Sequence, residues 1–248
     1  MLVKDIIEIM EKHYPLNQQE EWDKCGLQIG NRENEVHKMM IALNVDTESI
    51  QEAIDNGCDM LISHHPFLLD KIENIDKDHF MGECIYKAIL NDLAVYSAHT
   101  NLDKLSMNHW LIKELDVTDI KDGDASGITK VAKLNKSMKK EDFIQYVKKV
   151  YNLKQLKYAG HSDVISTVGI CGGSGADLLP EFYGKVDAYI TGDTKYRHAK
   201  NAFDNDILLV DIGHHAERIM VPKLKELLGK ELAIEIIEGS CRDYYTYE

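Results

Sequence analysis

The chain has 248 residues, a formal charge of −13 and a pI near 5.3, which is enough length for one large or two small domains with a sizeable core. Nucleic acid and anionic membrane are recognised through clustered Lys and Arg, so an acidic field of this size argues against either as a general partner. The five cysteines (Cys25, Cys58, Cys84, Cys171 and Cys241) are scattered without a C-x-x-C pair, which argues against a disulfide framework or a zinc knuckle and for reduced thiols. No run approaches the ~18 apolar residues that span a bilayer. The amphipathic start Met-Leu-Val-Lys-Asp-Ile-Ile-Glu lacks a signal-peptide core, and a cytoplasmic location is expected.

Helical spacing of Ile6, Ile7, Ile9 and Met10 gives a helix from Val3 to Tyr14, stopped by Pro15. Residues 21–30, with Trp22 and two glycines, read as a packed turn. Met39 to Val45 is a strand and Glu48 to Asn56 a helix. The short apolar run Asp59 to Ser63 is a buried strand that ends abruptly at His64, His65 and Pro66. Pro66 keeps His65 extended, and neighbouring side chains on extended backbone point apart. The pair is therefore poorly placed to chelate one ion and well placed to serve two. Glu83 to Leu90 is helical, and the strand after Asn91-Asp92 ends at His99, with Asp103 close behind. A helix over Met107 to Leu115 and a polar, Gly-containing passage over Asp116 to Gly127 place a boundary between halves 1–125 and 126–248.

The second half repeats the plan. Leu134 to Val150 reads as an inserted helix, and Val168 to Cys171 as a strand entering Gly172-Gly-Ser-Gly175, a weak phosphate-cradle candidate. A short helix, the strand Val186 to Asp193, and a helix around Tyr196 to Phe203 follow. Asn205-Asp206 then precedes a strand ending at His214 and His215, as Asn91-Asp92 precedes the strand ending at His99. Leu232 to Ile237 is a last alternating strand. The expected fold is α/β: two similar, intertwined halves with mainly parallel sheets, their polar strand ends converging on a cleft.

Three strand ends thus carry His64 with His65, His99 with Asp103, and His214 with Glu217. Taken singly, Asp103 could be a helix N-cap, His99 a hydrogen-bonded core histidine and Glu217 a partner for a helix dipole. Their coincidence favours a metal site of nitrogen and oxygen donors, suited to zinc, iron, manganese or nickel. Glu217 lies three residues beyond His214, where the two share a helical face. Five ligands among these six residues exceed the need of one tetrahedral ion and fit two ions bridged by a carboxylate.

Ile62-Ser-His-His-Pro-Phe67, Ala98-His-Thr-Asn-Leu-Asp103, Thr191-Gly-Asp193 and Asp211-Ile-Gly-His-His-Ala-Glu217, with Trp22-Asp23 and Gly26-Leu-Gln-Ile-Gly30, together resemble the Nif-three-like dinuclear metal-centre proteins, the GTP cyclohydrolase I type 2 homologues. The resemblance covers nearly the whole chain. It implies a toroidal homohexamer and a two-metal site lined by His64, His65, Asp103, His214 and Glu217. Two departures stand out. Many relatives place the last glutamate four residues after the histidine, where this chain has Arg218. The Thr-Gly-Asp segment is commonly followed by Lys-Tyr-His, where this chain has Lys195-Tyr196-Arg197, with His198 one place later.

The reading that results is a dinuclear-metal, hydrolase-like protein acting on a nucleotide or phosphorylated small molecule through a metal-bridged hydroxide, with His99 as the candidate general acid or base. The alternative is a non-catalytic protein that holds or delivers metal, or a scaffold ring.

Overall fold

The computed structural model describes residues 1–246. Its elements run α1 (Val3–His13), β1 (Gly26–Ile29), β2 (Lys38–Ala42), α2 (Thr47–Asp55), β3 (Met60–Ser63), α3 (Phe80–Leu90), β4 (Ala94–Ser97) and α4 (Thr100–Leu102), followed by a π turn (Asp103–Met107). They continue α5 (Asn108–Lys113), β5 (Val117–Asp122), β6 (Lys130–Lys139), α6 (Lys140–Val150), β7 (Lys157–Ala159), β8 (Val164–Ile170), β9 (Ala188–Thr191), α7 (Tyr196–Asp204), β10 (Leu208–Asp211), α8 (Met220–Leu228) and β11 (Glu235–Glu238). Packing gathers Met1–Leu102 and Met220–Arg242 into one unit, and Asp103–Ile219 with the residues from Asp243 into another.

This division differs from the expected 1–125 and 126–248, for two reasons. The passage after Asp116 is a bulged strand, β5, hydrogen-bonded along β6 from Val117 beside Leu134 to Asp122 beside Lys130, and not a linker. The last strand, β11, returns to the first unit and pairs in parallel with β2, Glu235 beside Lys38 through to Glu238 beside Ile41.

The first unit's sheet has the order β1-β4-β3-β2-β11, parallel throughout except for β1, which runs antiparallel to β4. β2, β3 and β4 are buried on both faces, which explains their unbroken apolar runs. Met40, Leu61 and Val95 face Ile50 and Ala53 of α2 and Cys84, Ile85 and Ala88 of α3. β1 lies where the sequence reads only a packed turn; a four-residue strand closed by glycines at φ +104° and +119° offers too little periodicity to be seen.

The second unit's sheet, β5-β6-β8-β9-β10-β7, is mixed. Only β8, β9 and β10 run parallel, while β5, β6 and β7 join antiparallel. Leu134 belongs to β6, so the expected inserted helix begins only at Lys140. The alternation of half-exposed positions along β6 is what a surface strand requires.

One local device recurs before every histidine-bearing strand. A helix ends at Asn56, Asn91 or Asn205, whose side-chain amide donates to the carbonyl four residues back, at 2.8 Å in all three cases. The next residue, Gly57, Asp92 or Asp206, takes a left-handed conformation with φ between +51° and +66°. The residue after it donates to the carbonyl five positions back (Ala53, Ala88 or Ala202), closing the turn. β3, β4 and β10 then begin. The repeat inferred from Asn-Asp is therefore a repeat of backbone geometry. Register refines it: Ser63 pairs with Ser97, and Thr191 with Asp211, so His99 corresponds to Gly213 and His214 falls one residue beyond.

Candidate metal centre

In the first unit, β3 and β4 deliver three imidazoles to one place. Ser63 and Ser97 share a hydroxyl hydrogen bond of 2.8 Å across the register, and the Ser63 hydroxyl also donates to the His65 carbonyl at 3.0 Å. The strand ends are thereby tied together just before the histidines emerge. The rings of His64, His65 and His99 lie with centroids 4.9–5.6 Å apart, and each offers a nitrogen within 4.8 Å of the other two.

Each ring is held at Nδ1 by an oxygen. His64 Nδ1 meets the Ala98 carbonyl at 2.9 Å, His65 Nδ1 the Asn44 Oδ1 at 2.6 Å, and His99 Nδ1 the Asp23 Oδ1 at 3.0 Å. A carbonyl or carboxylate oxygen can only accept, so Nδ1 carries the proton and Nε2 the lone pair. This is the tautomer a metal-binding histidine needs.

Asp23 is buried and also accepts from the Lys24 and Thr100 amides and the Thr100 hydroxyl. Burial alone would raise its pKa, but the hydrogen bonds from His99 and Thr100 hold it far below the ordinary carboxylate range. Cys25, beside Asp23 and Asn101, is pushed up to about 12 by burial and by the Asp23 charge, so it stays a thiol and not a nucleophile or ligand. Trp22 departs from the expected packed turn: its side chain is 57% exposed and stands edge-on to His99, centroids 5.8 Å apart.

In the second unit, the chain beyond β10 forms a 3₁₀ turn, His214–Ile219. Residues three apart eclipse in such a turn, which accounts for His214 and Glu217 lying side by side. His214 Nε2 lies 3.0 Å from Glu217 Oε2, and its Nδ1 lies 2.7 Å from Asp193 Oδ2. The hydrogen bond that His214 donates to Glu217 pushes the imidazole up to about 9, with burial opposing and Asp193 adding to the rise. Asp193 belongs to the Thr-Gly-Asp segment of the sequence but is not marked there as a support for His214.

Asp103 also belongs to this unit, not with His64 and His65 as the sequence boundary places it. It is buried and opens the π turn, three residues beyond the start of α4 at Thr100, so the N-cap alternative fails. π turns recur at functional positions. An Asp103 oxygen and a Glu217 oxygen, both buried, lie within 4.8 Å of each other.

The Gly172–Gly175 loop, weighed as a phosphate cradle, packs against this carboxylate instead. Gly172 donates to Asn108 at 2.6 Å, and Gly173, at φ +56°, leaves no room for a Cβ because Glu217 fills that space. His198 spends both ring nitrogens on structure, accepting from the Lys195 amide at 3.1 Å and reaching Asp177 at 2.8 Å. It is a helix-start brace for α7.

A metal ion fits both donor sets. Lone-pair nitrogens clustered in one unit and two close, buried carboxylates beside an imidazole in the other are nitrogen and oxygen donors of the borderline type. Buried like charges also gain from a cation. Among the described residues, no helix is long and apolar enough to cross a membrane.

Comparison with known proteins gives the family and the fold. A Clostridium acetobutylicum protein named GTP cyclohydrolase 1 type 2 homolog is 35% identical over 244 residues, covering 92% of this chain and 91% of that one. A Bacillus cereus protein related to NIF3 matches in fold with a TM-score of 0.93 at 21% identity, covering 100% and 99% of the two chains. A hypothetical protein of Staphylococcus aureus gives 0.93 at 26% identity with the same coverage. The model of the Duf34/NIF3 (NGG1p interacting factor 3) family matches residues 1–242, and the chain belongs to that family.

Proposed function

We propose that the protein is a divalent-metal-dependent, hydrolase-like enzyme acting on a nucleotide or a phosphorylated small molecule, with two ions held by His64, His65, Asp103, His214 and Glu217. The observation that carries this reading is the common state of three imidazoles: His64, His65 and His99 are each engaged at Nδ1 by an oxygen, which commits Nε2 to coordination or proton transfer. The first unit's cluster is all nitrogen, and the second unit offers carboxylates that would carry compensating charge.

Ions held by those residues would supply Lewis acidity. His99 supplies the proton chemistry: with Nδ1–H fixed on ionised Asp23, its Nε2 accepts a proton from an attacking group and returns it to a leaving group. The names borne by relatives make purine nucleotides the first substrates to try. The resemblance also supports a six-chain ring.

The test is metal content per chain, paired with turnover on a panel of nucleotides and sugar phosphates. Two ions per chain and turnover lowered about 10²- to 10⁴-fold in His99→Gln are expected. Metal without turnover on any member of the panel would make the protein a metal holder. Light scattering that gave a single chain of 28.3 kDa would refute the ring.

A further inference from the structure

Trp22 is a large aromatic residue that burial does not explain. A tryptophan residue 57% exposed gains little from burial, yet the backbone of its loop is hydrogen-bonded on both sides of it. The Glu20 amide donates to Thr100 Oγ1 at 2.9 Å, the Asp23 amide to the Glu20 carbonyl at 3.0 Å, and the Cys25 amide to Gln19 Oε1 at 2.9 Å. The neighbouring Asp23 carboxylate is anchored to His99 and Thr100. The loop backbone that carries the exposed ring is therefore held in place. The ring it presents stands at 76° to His99, in the ring contact that joins Trp22 to the trio of His64, His65 and His99.

We propose that Trp22 is a stacking platform for a planar heteroaromatic ring, the base of a nucleoside or nucleotide, held within reach of His99. This rests on the reading of the site as a nucleotide-processing centre and adds the part of the substrate that is recognised. The chemistry favours a base over a sugar or an aliphatic acid. An indole face binds π systems in a sequence-tolerant way, and the groups beside it in this unit (the three imidazoles, Asp23 and Thr100) are polar and would not hold an aliphatic chain. A ring lying flat on the indole stands steeply to the imidazole of His99, so the two side chains meet different parts of it: Trp22 its face, His99 its rim. The loop backbone needs no rearrangement to bind, because its hydrogen bonds already hold it, and that preorganisation lowers the entropic cost.

The experiment uses the full chain, as purified and after chelator treatment, with Trp22→Ala and Trp22→Phe. Guanosine, GTP and ribose 5-phosphate are titrated by calorimetry, and metal content is measured on each sample. Guanosine, which has a base and no phosphate, should bind the wild type, lose about 10-fold or more in affinity with Trp22→Ala, and stay within about threefold with Trp22→Phe. Ribose 5-phosphate affinity and metal stoichiometry should not change with either variant. Guanosine that binds Trp22→Ala as tightly as wild type, or does not bind wild type, overturns the platform. Guanosine bound through Trp22 by a protein that takes up no metal overturns the metal centre and leaves the platform standing. Loss of all three ligands together in Trp22→Ala would mark a general collapse of the loop and would also overturn the specific role.

Discussion

Gly173→Ala isolates the role of Glu217 without touching any proposed ligand. A Cβ at 173 would collide with Glu217 Oε1 and lie 3.0 Å from its Cδ, against the usual carbon–carbon separation of about 3.5–4.0 Å. The Gly173 carbonyl is held by the Gly192 amide at 2.8 Å, so the carboxylate has to retreat by roughly 0.5–1 Å. That displacement stretches the 3.0 Å bond to His214 towards or past the limit of a hydrogen bond. The left-handed backbone adds a separate cost of about 1–2 kcal/mol. Gly184 gives the control: its φ is +68° and nothing lies within 4 Å of a Cβ there, so Gly184→Ala carries the backbone cost alone. Both variants should melt a few degrees lower, at about 2–4 °C per kcal/mol for a chain of this size. Only Gly173→Ala should lose metal, by elemental analysis after dialysis against a weak chelator. Full metal content in Gly173→Ala, or equal losses in both variants, would refute the assignment of Glu217 as a ligand held in place by this loop.

His214→Ala should lose at least one ion per chain while His215→Ala keeps both, because the 3₁₀ turn eclipses 214 with 217; anomalous diffraction at the metal edge distinguishes the two. Asn44→Ala should weaken metal binding about 10- to 100-fold by releasing Nδ1 of His65, measured by competition with a chromophoric chelator; unchanged affinity would mean that His65 is oriented by other means. Burial alone would raise the pKa of Asp211, but bonds from Lys157, Thr194 and Gly213 hold it low. Its folded value lies below the unfolded one near 3.9, so its contribution is complete above about pH 4 and is lost as the pH falls through the folded value. The urea midpoint should therefore drop as the pH falls below about 4, and drop less steeply in Asp211→Asn; identical slopes would contradict the role given to Lys157 and Thr194.

The buried parallel strands were legible because both faces are apolar: Met60-Leu-Ile and Leu208-Leu-Val announce themselves without periodicity, and the Asn-Asp turns before two histidine strands gave the repeat. β1 and β7, four and three residues long, carry too little pattern to read. The polar edge strand β5 looked like a linker because its exposed residues face solvent, not a second layer. At the candidate site, the histidines and carboxylates were visible as residue types at strand ends. Their supports, Asn44, Asp23 and Asp193, were not visible as such, since each reaches its histidine from 21 to 76 positions away in sequence. The 3₁₀ form of the turn after β10 was also hidden, although the three-residue spacing of His214 and Glu217 pointed to a shared face.

The return of β11 to the first sheet sets an order of events during synthesis. β2 emerges early, but its outer neighbour is made about 200 residues later, which at ribosomal speeds of roughly 5–20 residues per second is a wait of about 10–40 s. During that interval β2 presents an unpaired apolar edge of Met39, Met40 and Ile41, the kind of surface that pairs with the wrong strand. Residues 103–219, by contrast, are contiguous and carry every strand of the second sheet, so that unit has all its partners before the first one does. A nascent chain stalled before Glu235 should therefore protect β10 from hydrogen exchange while leaving β2 open, and β2 becomes the place where a chaperone has most to gain by waiting.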